Sequence, residues 1–235
     1  RWMSLWKETL ELQHNQEQLL LNIGCTDSLN IAVFVPLYDK ILMNYPHLDL
    51  SIQSHHSSEL YGMLSEHNID IGFVYHQLHY KNIISEKLFE EKLYLVQSEH
   101  PSVEKPIVHT DELDSTKELF LSWDDNFQIW HDRWLSSVSR PHISADTITL
   151  LDRLWKNADT WMIAPESVIH ELSRYRKVYV SELKNPAPNR ICYKIKHKYP
   201  KTTSKRAVEL FEEILDQSLR LERKEIPIGE IWGGR

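Results

Sequence analysis

Thr26, Asp27 and Ser28 are the residues best placed for binding chemistry. They follow the apolar run Leu19-Leu20-Leu21-Asn22-Ile23 and Gly24-Cys25, and they precede a helix-like stretch that begins at Leu29. At a strand-to-helix junction of this kind, free backbone N–H groups and the helix dipole favour an anion. Capping of the helix by Asp27 or Ser28 is worth about 1 kcal/mol and is compatible with ligand contact. An uncapped Asp27 carboxylate facing the ligand would instead repel an anion and favour an amine. His55 and His56 precede a second helix start at Ser57 or Ser58. Successive side chains in a regular strand point to opposite faces, so one of the two is expected to face a site. There an imidazole can meet a carboxylate or a hydroxyl; the alternative is an exposed turn. The pair lacks a further ligand at metal spacing, and no metal site is expected. Tyr75 and His76 follow a third apolar strand and are expected in the same crevice. For a nucleophile beside a base, Cys25 with His55 or His76 is the best pair on offer; Cys25 as a small packed residue is the competing reading.

These positions are set by a run of alternating elements. Leu19–Ile23, Leu48–Ile52 and Ile69–Val74 read as strands, separated by a helix over 29–44 and a short helix over 59–66. Strands alternating with helices at this spacing predict βαβ units and a parallel sheet. Open sheets of that kind take ligands outside the carboxyl ends of their strands. The helix over 29–44 is apolar nearly all round, which predicts burial on more than one side. Pro36 inside it is expected to kink it or remove a hydrogen bond. Two strands, Ile83–Phe89 and Lys92–Val96, follow. A second α/β block then places Ser122, Trp123 and Asp124 at the end of its first strand, and Asp146 and Thr147 at a helix start. The turn Asn185-Pro186-Ala187-Pro188 leads to an alternating strand from Arg190 and an amphipathic closing helix over 205–219. Residues 1–18 read as helix, and residues 222–235 as a tail.

Composition bounds the function. The 235 residues, 41% hydrophobic and 26% charged, suit a soluble chain of two compact lobes or one large domain. No apolar run approaches the ~20 residues of a membrane span, and no secretory signal is evident at the start. A net charge of −7 is not the basic balance of a nucleic-acid-binding surface. Lys194, Lys196, Lys198, Lys201, Lys205 and Arg206 read as a solvated face. Two distant cysteines, Cys25 and Cys192, give no disulfide framework and fit a reduced, cytoplasmic compartment. No Gly-rich phosphate loop or metal spacing is present, so no cofactor is expected.

The order Ile23-Gly24-x-x-Asp27-Ser28, Pro36, Tyr45-Pro46, Ser57-Ser58-Glu59-Leu60 and Asp70-Ile71-Gly72-Phe73-Val74 resembles the effector-binding domain of LysR-type transcriptional regulators. Glu91 to Val96 resembles that family's strand crossing between lobes, and Ala158 to Ala164, followed by Pro165, a later segment. Ile191 to Leu219 resembles the return to the first lobe. The resemblance covers residues 19–219. It implies an α/β, two-lobed periplasmic-binding-protein type II-like fold with two crossing hinge strands. Lobe one would be residues 19–96 with 192–219, and lobe two residues 97–191. Residues 1–18 would be the remnant of a linker helix to a DNA-binding domain upstream.

The resemblance further implies a small-molecule effector bound between the lobes and a homodimer or tetramer. DNA would be contacted only through the N-terminal part, with no membrane partner. Thr160 and Trp161 depart from the family, in which many members carry glycine and a small aliphatic residue. Side chains there are expected to border the ligand and narrow the cleft, or Trp161 to be buried between strands. A solute-binding importer component and an enzyme on the same scaffold are the competing functions.

Overall fold

The computed structural model of the chain describes residues 18–98, 105–135, 141, 143–156, 159–219 and 226–231. The expected helix at residues 1–18 lies outside them but for Gln18. The chain starts with β1 (Leu19–Cys25), α1 (Val35–Asn44), β2 (Leu48–Ser54), α2 (Ser57–Ser65) and β3 (Ile71–Val74). The three strands are parallel, with β1 pairing on both sides, so their carboxyl ends open together. β4 (Ile83–Glu91) is followed by Lys92 alone and then β5 (Leu93–Ser98). Next come β6 (Ile107–Val108), β7 (Leu119–Phe120), α3 (Asp125–Trp134), β8 (Ile143–Ser144), α4 (Ile148–Leu154), β9 (Trp161–Pro165), α5 (Glu166–Ser173) and β10 (Val178–Leu183). β11 (Arg190–His197), α6 (Thr202–Leu219) and β12 (Gly229–Ile231) complete the described elements.

Two sheets result, one per lobe. The first is ordered β2-β1-β3-β11-β4, and the second β12-β10-β5-β9 with β6 on β10. The chain crosses between them twice, at Lys92 and again between β10 and β11, as the two-hinge arrangement requires. The first sheet is covered on one face by α1 and α6, through Phe34, Ile41, Phe73, Phe211 and Ile214. Leu60, Tyr61 and Leu64 of α2 cover its other face with Ile69 and Ile195. α2 lies very close to β1: a Cβ on Gly24 would stand 2.5 Å from side-chain carbons of both Leu60 and Ile69. Only glycine lets the helix settle there. The second lobe has its own apolar core. Among the described residues no helix is long and apolar enough to cross a membrane.

Three expectations are corrected. The helix over 29–44 is not regular: a single turn at Asp27–Leu29 opens into a π-helical segment at Asn30–Phe34 before α1 resumes. Pro36 therefore sits in the first turn of α1, where a missing N–H has little consequence, and the irregularity precedes it. The stretch read as a tail contributes to lobe two, since Ile226 is buried in its core and β12 pairs antiparallel with β10. Lys194 and Lys196 are half-buried ion-pair partners rather than a free solvated face. Both reach from β11 to Glu212 on α6, Lys196 Nζ at 2.8 Å, and Lys194 also meets Glu86 at 3.1 Å.

Burial would raise the Glu212 carboxyl, but the bonds from Lys194 and Lys196 outweigh it and hold the group below its ordinary 4.5. Such a carboxylate contributes stability that is complete above its unfolded value and is lost as pH falls through its folded one. Glu212→Gln is therefore expected to lower the urea midpoint at neutral pH. The gap between the two proteins should close once the pH drops well below about 4.5, and a gap unchanged in acid would show that the clamp is not ionic.

Candidate functional site

The carboxyl ends of β1, β2 and β3 open onto a cleft of about 990 Å³ between the lobes. Thr26, Asp27 and Ser28 line one wall with His55, His56, Tyr75 and His76, while Ser122, Trp123, Asp146 and Thr147 line the opposite wall. Thr160 and Trp161 are not part of it. Both are buried in lobe two, and the Trp161 indole donates to the Asp114 carbonyl at 3.0 Å. Of the two expectations for this segment, Trp161 follows the second, buried in a strand that is covered along its whole length, and neither residue lines the cleft.

At the first junction the expected capping is absent. Thr26 occupies the cap position without a side-chain cap bond, and its buried Oγ1 has no partner among the described residues. Asp27 crosses the cleft instead. Its carboxylate accepts from the Thr149 hydroxyl at 3.1 Å and, at 3.4 Å, from the Thr149 N–H, which links the lobes. Ser28 is buried and its Oγ accepts from Arg190 Nη1 at 3.3 Å.

His55 and His56 both line the cleft, against the expectation of one. β2 ends at Ser54, so strand alternation no longer governs them. His55 Nδ1 lies 3.3 Å from Glu59 Oε2, which also accepts from the His56 N–H. His76 pairs with Asp125 of lobe two at 3.3 Å, a second link across the cleft. Asp124 caps α3 by accepting from the Phe127 N–H at 2.8 Å. Trp123 serves packing, its indole donating to the Ile163 carbonyl at 2.7 Å, and also borders the cleft.

Tyr75 is buried and donates to Glu91 Oε1 at 3.0 Å. Burial pushes its phenol well above the usual range; nearby Arg190 opposes this and Glu91 reinforces it, so it remains a donor. The residue that the sequence reading missed is Arg190. It is 3% exposed, borders the cleft, stacks 3.1 Å from the Tyr75 ring centre and donates to the Trp123 carbonyl at 3.2 Å. Its only signal in the sequence is a lone arginine opening an alternating strand directly after a proline-rich turn.

The nucleophile-and-base arrangement is not assembled. Cys25 is fully buried in the lobe-one core, and no hydrogen bond joins its thiol to a histidine among the described residues. Burial, reinforced by charge interaction with Cys192, pushes its thiol well above the usual range. Burial likewise raises Cys192, with Glu91 adding to the effect. Among the described residues no group of three or more His, Cys, Asp or Glu could hold a metal ion. Both thiols are expected to react with Ellman's reagent far more slowly in the native chain than in denaturant. Native labelling at the denatured rate would contradict the packing described here.

Comparison with known proteins agrees with this geometry. The model of the LysR substrate binding domain matches residues 14–220. The reduced regulatory domain of OxyR from Pseudomonas aeruginosa is similar at 16% identity and a TM-score of 0.70, over 89% of this chain and 100% of that one. The reduced regulatory domain of OxyR2 from Vibrio vulnificus is similar at 16% identity and a TM-score of 0.64, over 86% of this chain and 96% of that one. A full-length OxyR variant from Pseudomonas aeruginosa gives 16% identity and a TM-score of 0.68, over 91% of this chain and 75% of that one. Such likeness shows the two-lobed type II periplasmic-binding-like fold. No curated protein gives a significant match by sequence.

Proposed function

We propose, from the premise that this chain belongs to the LysR substrate binding domain family, that its interlobe cleft is the effector site of a transcription regulator. A small molecule held there would act on a DNA-binding segment carried elsewhere in the protein. The observation that carries this reading is that a cleft between the lobes is lined by strand and helix ends of both, with Arg190 bonded to both of its walls. A ligand that fits one lobe arrangement better than another shifts their populations by its differential affinity, and that difference is the signal. The enzyme reading loses its support with the burial of Cys25.

The second copy that such a regulator uses finds a surface on α1. Val35 is exposed beside a groove of about 270 Å³ formed with α6, lined by Val33, Pro36, Leu37, Leu215 and Leu219. Exposed apolar surface of this kind favours a protein partner, and side-by-side packing of two α1 helices would cover it.

Two measurements test the reading. Ser122→Trp places an indole in the cleft and is expected to abolish stabilisation by any small molecule found to raise the melting temperature of the full chain. Persistence of that stabilisation would place the binding site elsewhere. Val35→Asp is expected to halve the particle mass in multi-angle light scattering while leaving circular dichroism unchanged; an unchanged mass would remove α1 from the interface.

A further inference from the structure

Arg190 carries a buried charge that makes no direct ion pair among the described residues. Its guanidinium donates to two uncharged oxygens, Ser28 Oγ and the Trp123 carbonyl, and its buried Nε has no acceptor among the described residues. Tyr75 and Trp123 rings flank it at 3.1 and 4.9 Å, and cation–π attraction offsets part of its desolvation. A buried cation is strongly disfavoured unless it is paired, and no carboxylate among the described residues bonds Arg190 directly. Glu91 stands opposite Arg190 in the β4–β11 ladder but accepts from Tyr75 OH and from the Ser167 N–H, each at 3.0 Å. On the cleft walls, Asp27 holds Thr149, Glu59 holds the His56 N–H, Asp124 holds the Phe127 N–H and Asp125 pairs with His76, while Asp146 lines the far wall exposed.

Resting on the cleft reading above, we propose that the effector is a small organic anion whose carboxylate or comparable oxyanion seats on Arg190, the residue that sets specificity for charge. A guanidinium has five N–H donors, of which the protein uses two. The remaining N–H donors of this cleft-lining side chain suit a planar, two-oxygen partner, the geometry in which arginine binds carboxylates. The buried Thr26 Oγ1, also bordering the cleft and also without a partner, supplies a further hydroxyl donor. An uncharged ligand of the same shape leaves the guanidinium uncompensated and binds less well.

The test compares matched acids and amides on the full chain at constant ionic strength. Sodium benzoate, malonate and sulfate are set against benzamide and malonamide, with melting temperature and titration calorimetry as readouts. The anions are expected to raise the melting temperature, as a ligand that binds only the folded state must, and the amides are not. Benzoate or malonate outperforming sulfate identifies a carboxylate, and the reverse order a tetrahedral oxyanion. Arg190→Gln should weaken anion binding about tenfold or more. Arg190→Lys, which keeps the charge but not the fork, should give an intermediate loss and serves if the glutamine variant does not fold. Amides binding as tightly as their acids, anion affinity unchanged in Arg190→Gln, or no anion stabilising the chain would each overturn the assignment. Repeating the titrations in Ser122→Trp separates the two failures. Amide binding abolished there leaves the cleft standing and only the anion class lost, whereas binding of any probe that survives there removes the cleft itself.

Discussion

The structure depends on a buried cluster where the two sheets meet. Glu91 ends β4, Arg190 opens β11 opposite it, and Tyr75 lies just beyond β3. Glu91 accepts from Tyr75 in its own lobe and from the first turn of α5 in the other. Lys92, the only residue between β4 and β5, is held on both sides by Glu166: its carbonyl accepts from the Glu166 N–H at 3.1 Å, and its N–H donates to Glu166 Oε2 at 3.4 Å. Buried hydrogen bonds of this kind, Glu91 to both lobes and Glu166 to Lys92, strengthen in low dielectric and fix one another's geometry. This geometry is therefore closely specified, and relative motion of the lobes must pivot about it.

The rim is built to the opposite standard. Asp27 with Thr149, and His76 with Asp125, join the lobes through exposed partners, and exposed pairs contribute little stability. A strong hinge and weak clasps let the cleft open without disturbing either core. The π-helical segment adds a route outward. Ile31 and Ala32 pack against the lobe-two core, while Phe34 at the other end of the segment packs in lobe one. The irregular turn after Ser28 thus joins the cleft, both cores and the exposed face of α1 within one stretch of backbone. π-segments recur at functional sites because they place side chains where an α-helix cannot.

Most of the fold was legible because strand and helix periods differ and alternate cleanly through β1, α1, β2, α2 and β3. Strand ends located Tyr75 and His76 in the cleft for the same reason. Other features depend on contacts that the local pattern does not encode. Arg190 sits in a strand whose lysines alternate with apolar residues, and nothing local separates it from Lys194 or Lys196. What distinguishes it is the arrival of Tyr75 and Trp123, distant in sequence, on its faces. Thr160 and Trp161 entered the candidate set through comparison with a family pattern of small residues, which says nothing about where a larger side chain turns. The strand at 229–231 was hidden by its charged and glycine-containing neighbours; its order comes from pairing with β10, not from its own apolar content.

Asp27 resolves the conflict that its sequence position raised. A free carboxylate beside the strand ends would repel an anion approaching Arg190. In the arrangement described, that charge is turned onto Thr149, whose N–H and hydroxyl both donate to it. Were the rim to open, this contact would be lost and the Asp27 carboxylate would face an approaching anion without its Thr149 donors. In the same arrangement the Trp123 carbonyl of lobe two accepts from Arg190, which fixes the guanidinium at the cleft. Both effects would have the same sign: an anionic ligand seated on Arg190 as proposed would gain affinity from closure and so favour it. Differential affinity of that kind is the quantity a ligand must supply to shift a two-state equilibrium. Here it arises from a carboxylate that never needs to touch the ligand.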